Sequence, residues 1–329
     1  MLEGEQVQVN PEIDILERDI ADYSSLLLHI ILLDHTTGRN IIWATEDYAQ
    51  FGEEYGAKKS IQATQITGNY SKVIQPRITK AQTDQISRTR DKAEVFTPSW
   101  ICNAQNNLID EAWFGRKNIF NTPRGTSWVA KTKPIVFPNK KGCTWQKYVD
   151  AKRMEISCGE APYLVSRYDT TTGKIIALPS RIGLLDRKLR IVNENTDEES
   201  EWFKWTKRAF QSVYAYEFQG DNLLLARENL LYTFIDNVRF KLQRDPTIHE
   251  LESIATIISW NLWQMDGMTY TIPYGEAKED SNQLSLFDGG YINGSMEPQN
   301  EVFAKLCLIK DWRSKVILEY KSLVKEARP

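Results

Sequence analysis

Between Met154 and Gln264 short apolar runs alternate with amphipathic stretches, and this alternation restricts the fold more than any other feature of the chain. Residues 154–157 read as a strand that ends at Cys158-Gly159, and residues 195–212 as a helix that opens on acids and carries Trp202, Phe203 and Trp205. A second strand over 213–218 leads into a helix from Asp221 to about Phe234. Pro246 then precedes a helix over 247–257, and residues 258–264 form a third strand ending at Asp266-Gly267. Strands separated by helices in this way predict a parallel sheet, because a parallel neighbour is reached only through a crossover. Ligands of such sheets bind at the carboxyl ends of the strands.

At 329 residues the chain is longer than a usual single domain, so one large α/β unit with an extra module, or two unequal domains, is expected. The pattern divides it into an N-terminal module over 1–93, a core over 94–275 with a basic insertion over 114–153, and a C-terminal extension over 276–329. In the first part, residues 26–33 and 41–43 read as two strands around the polar turn Asp34-His35-Thr36-Thr37-Gly38-Arg39-Asn40. Residues 56–80 are polar and broken by Pro76, which predicts irregular surface structure. At Phe96-Thr97-Pro98 a helix start is signalled, with Thr97 as cap, and the helix runs to about Trp113. Residues 125–142 predict loop and short strand, and the chain closes with a strand over 306–312 and a helix over 316–324.

Composition excludes several classes. Four cysteines without a C-x-x-C spacing and three histidines argue against a zinc site, so no metal is expected. The acidic start and the interruption of the apolar run 26–33 by His29 argue against a signal peptide and a membrane span. A cytoplasmic protein with free thiols follows.

The net charge of -3 is unevenly spread. Residues 71–153 carry 16 basic and 6 acidic side chains, and within them residues 114–153 hold ten basic residues against the single acid Asp150. Arg124, Lys131, Lys133, Lys140 and Lys141 lie there with Trp128 and Trp145, a mixture suited to phosphate contact and base stacking. The alternative is a solvated basic face beside an acidic region of the same chain.

Four motifs then occur in the order found in one class of DNA methyltransferase. Glu94-Val95-Phe96-Thr97-Pro98 resembles the G-E-x-[FY]-T-P element that precedes the core of type I modification subunits. Glu155-Ile156-Ser157-Cys158-Gly159-Glu160-Ala161 resembles the D-P-A-C-G-S-G turn, with isoleucine, glutamate and alanine in place of proline, serine and the second glycine. Glu217, followed by Ala226-Arg227-Glu228-Asn229-Leu230, is similar to the strand-end acid and the A-R-x-N-L helix of the second motif. Asn261-Leu262-Trp263-Gln264-Met265-Asp266-Gly267-Met268 resembles N-I-x-x-G-D-S-L.

The chain thus resembles the DNA adenine-N6 methyltransferases of restriction-modification systems over about residues 94–268. The resemblance implies a Rossmann-like class I S-adenosylmethionine-dependent core with N- and C-terminal additions. It implies that Phe96, Thr97 and Pro98 border the methionine part of S-adenosylmethionine, and that the turn bearing Glu155, Cys158 and Gly159 approaches the cofactor closely. Glu217 would accept the ribose hydroxyls and Asp266 the adenine amine. Double-stranded DNA and a restriction-modification or phage-defence partner subunit are the implied partners. One required element is missing, however. No [N/D]-P-P-[Y/F] occurs, and the nearest echo is Thr271-Ile272-Pro273-Tyr274, so Thr271, Pro273 and Tyr274 are the candidate catalytic residues. Three readings follow: an active methyltransferase, a catalytically deficient subunit that binds cofactor and DNA beside a partner, and an unrelated Rossmann-like nucleotide enzyme.

Overall fold

A computed structural model describes residues 17–80, 88, 90, 97–275 and 305–326. It opens with helices α1 (Glu17–Tyr23) and α2 (Ser25–Leu32). Residues 26–33, expected as a strand, are therefore helical up to Leu32. Two features explain the difference. The Ser24 hydroxyl caps α2 by accepting from the Leu26 N–H at 3.1 Å. At the other end the Arg227 guanidinium donates to the carbonyls of Ile31 (2.5 Å) and Leu33 (3.0 Å), which answers the negative end of the helix. A two-residue pair, β1 (Leu33–Asp34) with β2 (Arg39–Asn40), closes the turn that follows. Residues 41–43 run extended and bond to Lys59, and residues 56–80 are turns around the short helix α3 (Ala63–Ile66).

Helix α4 (Ser99–Phe114) lies where the sequence predicts it. Its start differs in detail: Pro98 holds the N-cap position, and Asp169 Oδ2, not Thr97, accepts the Ser99 N–H at 2.8 Å. Strands β3 (Asn121–Arg124) and β4 (Ser127–Ala130) form an antiparallel hairpin whose turn needs the positive φ of Gly125 (+58°).

After helix α5 (Trp145–Asp150) come β5 (Arg153–Ile156), α6 (Leu184–Asn195), α7 (Glu199–Gln211), β6 (Val213–Glu217), α8 (Gly220–Leu242), α9 (Ile248–Asn261) and β7 (Leu262–Gln264). The three strands form a parallel sheet in the order β5-β6-β7, with Arg153 beside Val213 and Glu217 beside Gln264. The expected alternation is borne out, although α8 is longer and β7 shorter than the pattern suggests. Asn261 helps to mark the switch from α9 to β7, since its amide donates to the carbonyls of Phe210 (3.0 Å) and Val213 (2.8 Å).

Strand alternation divides the residues between two faces. Val213, Ala215 and Leu262 face the helices within a continuous core that extends to Ile20, Leu27 and Trp43 of the N-terminal part. Tyr214 and Trp263 face the other way, against Met265, Cys307 and Ile309. That second layer is a hairpin of β8 (Leu308–Asp311) and β9 (Val316–Glu319), followed by α10 (Tyr320–Glu326). Residues 316–319, expected as helix, are strand. Val316 and Ile317 are β-branched, and Asp311 accepts the Arg313 N–H at 2.9 Å to form a tight turn that returns the chain beside β8.

Candidate functional site

The carboxyl ends of β5, β6 and β7 point the same way, and their last residues converge. Beyond β5 the chain turns sharply through residues 157–161, where Ser157, Gly159 and Ala161 have φ of +48°, +52° and +61°. Only glycine takes such values without steric cost. Ala161 stands where the resembled motif has its second glycine, so the substitution leaves an alanine in a glycine conformation.

One carboxylate holds this turn and a second holds the residues that follow it. Glu217, at the end of β6 and 7% exposed, accepts the Gly159 N–H through Oε2 at 2.8 Å. Its Oε1 accepts the N–H groups of Phe218 (2.9 Å) and Gln219 (3.2 Å). Burial pushes the Glu217 carboxyl above its ordinary range, and the three N–H groups pull against that push. Glu155 points to the same side and accepts the N–H groups of Tyr163 (3.3 Å) and Leu164 (3.1 Å). Its burial without a cation raises the carboxyl to about 8, with the charge of Glu217 adding to the shift. Cys158 is buried between them, and burial lifts its thiol well above the usual value, so it is an unreactive packing residue.

Glu160 does not face Glu217. Its carboxylate accepts the Arg77 N–H at 2.7 Å and the Tyr168 hydroxyl at 2.6 Å, while the Asn229 amide donates to its carbonyl at 3.2 Å. Asn229 belongs to the Ala226-Arg227-Glu228-Asn229-Leu230 stretch of α8, which is thereby tied to the turn. Thr97 and Pro98 are half-buried nearby. The Thr97 carbonyl accepts the Thr170 hydroxyl at 3.3 Å. Phe96 lies outside the described residues.

Beyond β7, Asp266 accepts the N–H groups of Met268 (2.8 Å) and Thr269 (3.3 Å) through Oδ1. The chain doubles back so that the Asp266 N–H meets the Thr271 carbonyl at 2.8 Å. Thr271 is 3% exposed and its hydroxyl lies 2.7 Å from that of Thr269. Pro273 is buried. Tyr274, 42% exposed with φ of +59°, sets its ring edge-on to Phe218 at 5.5 Å. Tyr274 is thus brought against Phe218, the residue that follows Glu217 at the end of β6.

A polar cluster next to this site escapes sequence reasoning. Asp221, fully buried at the start of α8, accepts the Tyr48 hydroxyl (2.7 Å) and pairs with Lys80 (3.2 Å) and Arg88 (2.9 Å). Burial alone would raise the Asp221 carboxyl, but the charges of Lys80 and Arg88 hold it below its usual range. Arg88 also donates to Gln219 Oε1 at 2.6 Å, two residues from Glu217. Tyr48 and Lys80 lie 173 and 141 residues from Asp221 in the chain, and only the acid in the first turn of α8 could have hinted at them.

No family model, curated protein or solved structure matches this chain.

The basic stretch forms a separate surface. Arg124 ends the first strand of the β3/β4 hairpin, and Lys131, Lys133, Lys140 and Lys141 follow in the loop beyond it; all five are exposed. Trp128 anchors the hairpin by donating to the Ser180 carbonyl at 2.7 Å, and Glu194 of α6 accepts the Ile135 N–H at 2.8 Å. Trp128 is therefore occupied by the protein. Among the described residues none of the five cations forms an ion pair, whereas Lys117 and Lys152 meet Glu111 (3.9 Å) and Asp311 (3.4 Å). Asp150, the one acid of the stretch, is taken by Arg208 and Arg313. No group of three or more metal-ligating side chains occurs among the described residues, and no described helix is long and apolar enough to cross a membrane.

Proposed function

We propose that this chain binds S-adenosylmethionine and double-stranded DNA as an adenine-N6 methyltransferase-like subunit of a restriction-modification or phage-defence assembly in the cytoplasm. Its three parallel strands would be half of a Rossmann-like class I core. The observation that carries this reading is the Glu217 carboxylate at one strand end, bonded to the Gly159 N–H of the turn at the neighbouring strand end. Parallel sheets use that position to bind a ribose beside a close backbone turn.

The residues fit the cofactor's donor pattern. Glu217 accepts three N–H groups, and a carboxylate offers about four acceptor positions, so a vicinal diol docks by releasing one of them. Asp266 uses only Oδ1 within its own turn, which leaves Oδ2 for an exocyclic amine. Thr97, Pro98, Glu155, Cys158 and Gly159 border the remaining side. When bound, S-adenosylmethionine supplies an activated methyl group; the residues above only hold and orient it. Glu217→Ala should weaken its binding by about 1–3 kcal/mol, the scale for losing hydrogen bonds to a charged group. Unchanged affinity in calorimetry would remove Glu217 from the site and the reading with it.

One observation favours the catalytically deficient form. At residues 271–274 the Thr271 hydroxyl is engaged by Thr269, and Ile272 carries no acceptor for an adenine amine. The exposed cations of 124–141 remain available to DNA phosphates in either form.

A further inference from the structure

Ala161 sits in a conformation it does not favour. A residue with a Cβ meets its own carbonyl in the left-handed region, a handicap of about tenfold in population against the right-handed alternative. Ala161 nevertheless keeps φ of +61° and is fully buried. Its N–H donates to the Cys158 carbonyl at 2.8 Å, and its carbonyl accepts the N–H groups of Leu164 (3.1 Å) and Val165 (3.0 Å). Backbone strain of this kind persists only where the surroundings enforce it.

The enforcement comes through the preceding residue. The Glu160 carboxylate accepts the Tyr168 hydroxyl at 2.6 Å and the Arg77 N–H at 2.7 Å, and its carbonyl accepts the Asn229 amide at 3.2 Å. The same amide also donates to the Tyr168 oxygen at 3.2 Å, so Glu160, Tyr168 and Asn229 close a ring of hydrogen bonds. All three are buried, where a hydrogen bond to a carboxylate is strong. Burial and the charge of Glu160 push the Tyr168 hydroxyl well above its usual range, so it stays protonated and keeps donating. The turn is thus gripped at consecutive residues: Gly159 by Glu217, and Glu160 by Tyr168 and Asn229.

The sequence carries the same pairing. Where the resembled turn has serine and then glycine, this chain has Glu160 and Ala161 side by side. Glycine reaches positive φ unaided, whereas alanine needs an anchor, and the longer acid beside it provides one. We infer that Tyr168 and Asn229 are positioning residues for the turn over 157–161: they anchor Glu160, hold Ala161 left-handed and so keep the Gly159 N–H on Glu217. The inference rests on the function proposed above, in which that turn borders the cofactor, and adds what gives the turn its shape. A Tyr168 that merely packed would stabilise the whole fold evenly, and the residue at position 161 would not matter to its loss.

Amide exchange followed by NMR on the full chain, without ligand, tests this. Tyr168→Phe removes one oxygen and keeps the ring. It should speed exchange of the Gly159 and Ala161 amides by about tenfold, the handicap of an unassisted alanine, while Ala215 in the middle of β6 stays within about twofold of the wild type. Asn229→Leu should act in the same way. Adding Ala161→Gly to Tyr168→Phe should return the Gly159 amide to within about threefold of the wild type, because glycine needs no anchor. Calorimetry with S-adenosylmethionine should follow the same pattern, weaker in Tyr168→Phe and recovered in the double variant. Unchanged Gly159 exchange in Tyr168→Phe, equal acceleration at Ala215, or no recovery with Ala161→Gly overturns the inference. Amides that respond as stated while S-adenosylmethionine binds equally well to both proteins, or to neither, support the anchoring and overturn the turn's place in the proposed function.

Discussion

Replacing Glu155 by glutamine should change how stability depends on pH. Glu155 is 8% exposed, faces no cation, and its carboxyl is raised from 4.5 to about 8 by burial. Between those values the folded state keeps a proton that the unfolded chain has released, so stability is highest at low pH and falls as pH rises. The slope approaches about 1.4 kcal/mol per pH unit, and the whole interval amounts to at most about 5 kcal/mol. Glutamine has nearly the same shape and can still accept the Leu164 N–H, but it carries no titrating proton. One weakened hydrogen bond costs about 1 kcal/mol. Glu155→Gln should therefore match or slightly trail the wild type at pH 5 and exceed it by about 2–4 kcal/mol at pH 8.5. Urea denaturation of both proteins at half-unit steps from pH 5 to 8.5 measures the difference directly; Glu217, shifted in the same direction by its own burial, titrates in both proteins, and its repulsion with Glu155 is relieved in the variant, which adds to the variant's advantage at high pH. Parallel curves, or a variant less stable at pH 8.5, would refute the reasoning.

Ala161→Gly should stabilise the protein by about 0.5–1 kcal/mol, because φ of +61° costs alanine more than the added chain entropy costs glycine; a lower urea midpoint contradicts it. Reversing Lys140 and Lys141 to glutamate should weaken binding to any DNA duplex, and the log-log salt slope should fall by about 0.9 for every phosphate the chain ceases to neutralise. Salt-insensitive binding would place DNA elsewhere. The chain alone should transfer little or no tritiated methyl to mixed-sequence DNA, since Ile272 offers no side-chain acceptor for an adenine amine and the Thr271 hydroxyl is engaged by Thr269. Robust turnover that vanishes in Tyr274→Ala would show those residues to be a working element.

What can be read from sequence, and what cannot, follows from the range of the forces involved. The succession of β5, β6 and β7 along the chain and the placing of Glu217 at a strand end rest on local periodicity and on Gly220 and Pro246, and these are visible in any window of the chain, whereas the lateral order of the strands is not. The helix at residues 26–32 is hidden because a short apolar run has no decisive period. What settles it is Arg227, 196 residues from the Ile31 carbonyl it holds. The same distance problem hides the cluster of Asp221 with Tyr48, Lys80 and Arg88. Ala161 is the instructive case at the site: the departure from glycine is plain in the sequence, but the sign of φ is not, and the backbone keeps the glycine conformation all the same.

Gln264 shows how far the parts of this chain can be separated. Its side-chain amide accepts the Ile42 N–H at 2.9 Å and donates to the Ile42 carbonyl at 2.8 Å, as the next rung of a ladder would. At Gly220 the Ile42 carbonyl comes so near that an added Cβ would lie 2.0 Å from it. A fragment excised at residue 94 would lose that rung, expose a buried amide and take away the Trp43 carbonyl that accepts the Gly220 N–H at 2.9 Å at the start of α8. Modular transplantation of residues 94–275 should accordingly fail unless residues 41–43 travel with them, however clearly the change in sequence character suggests a place to cut.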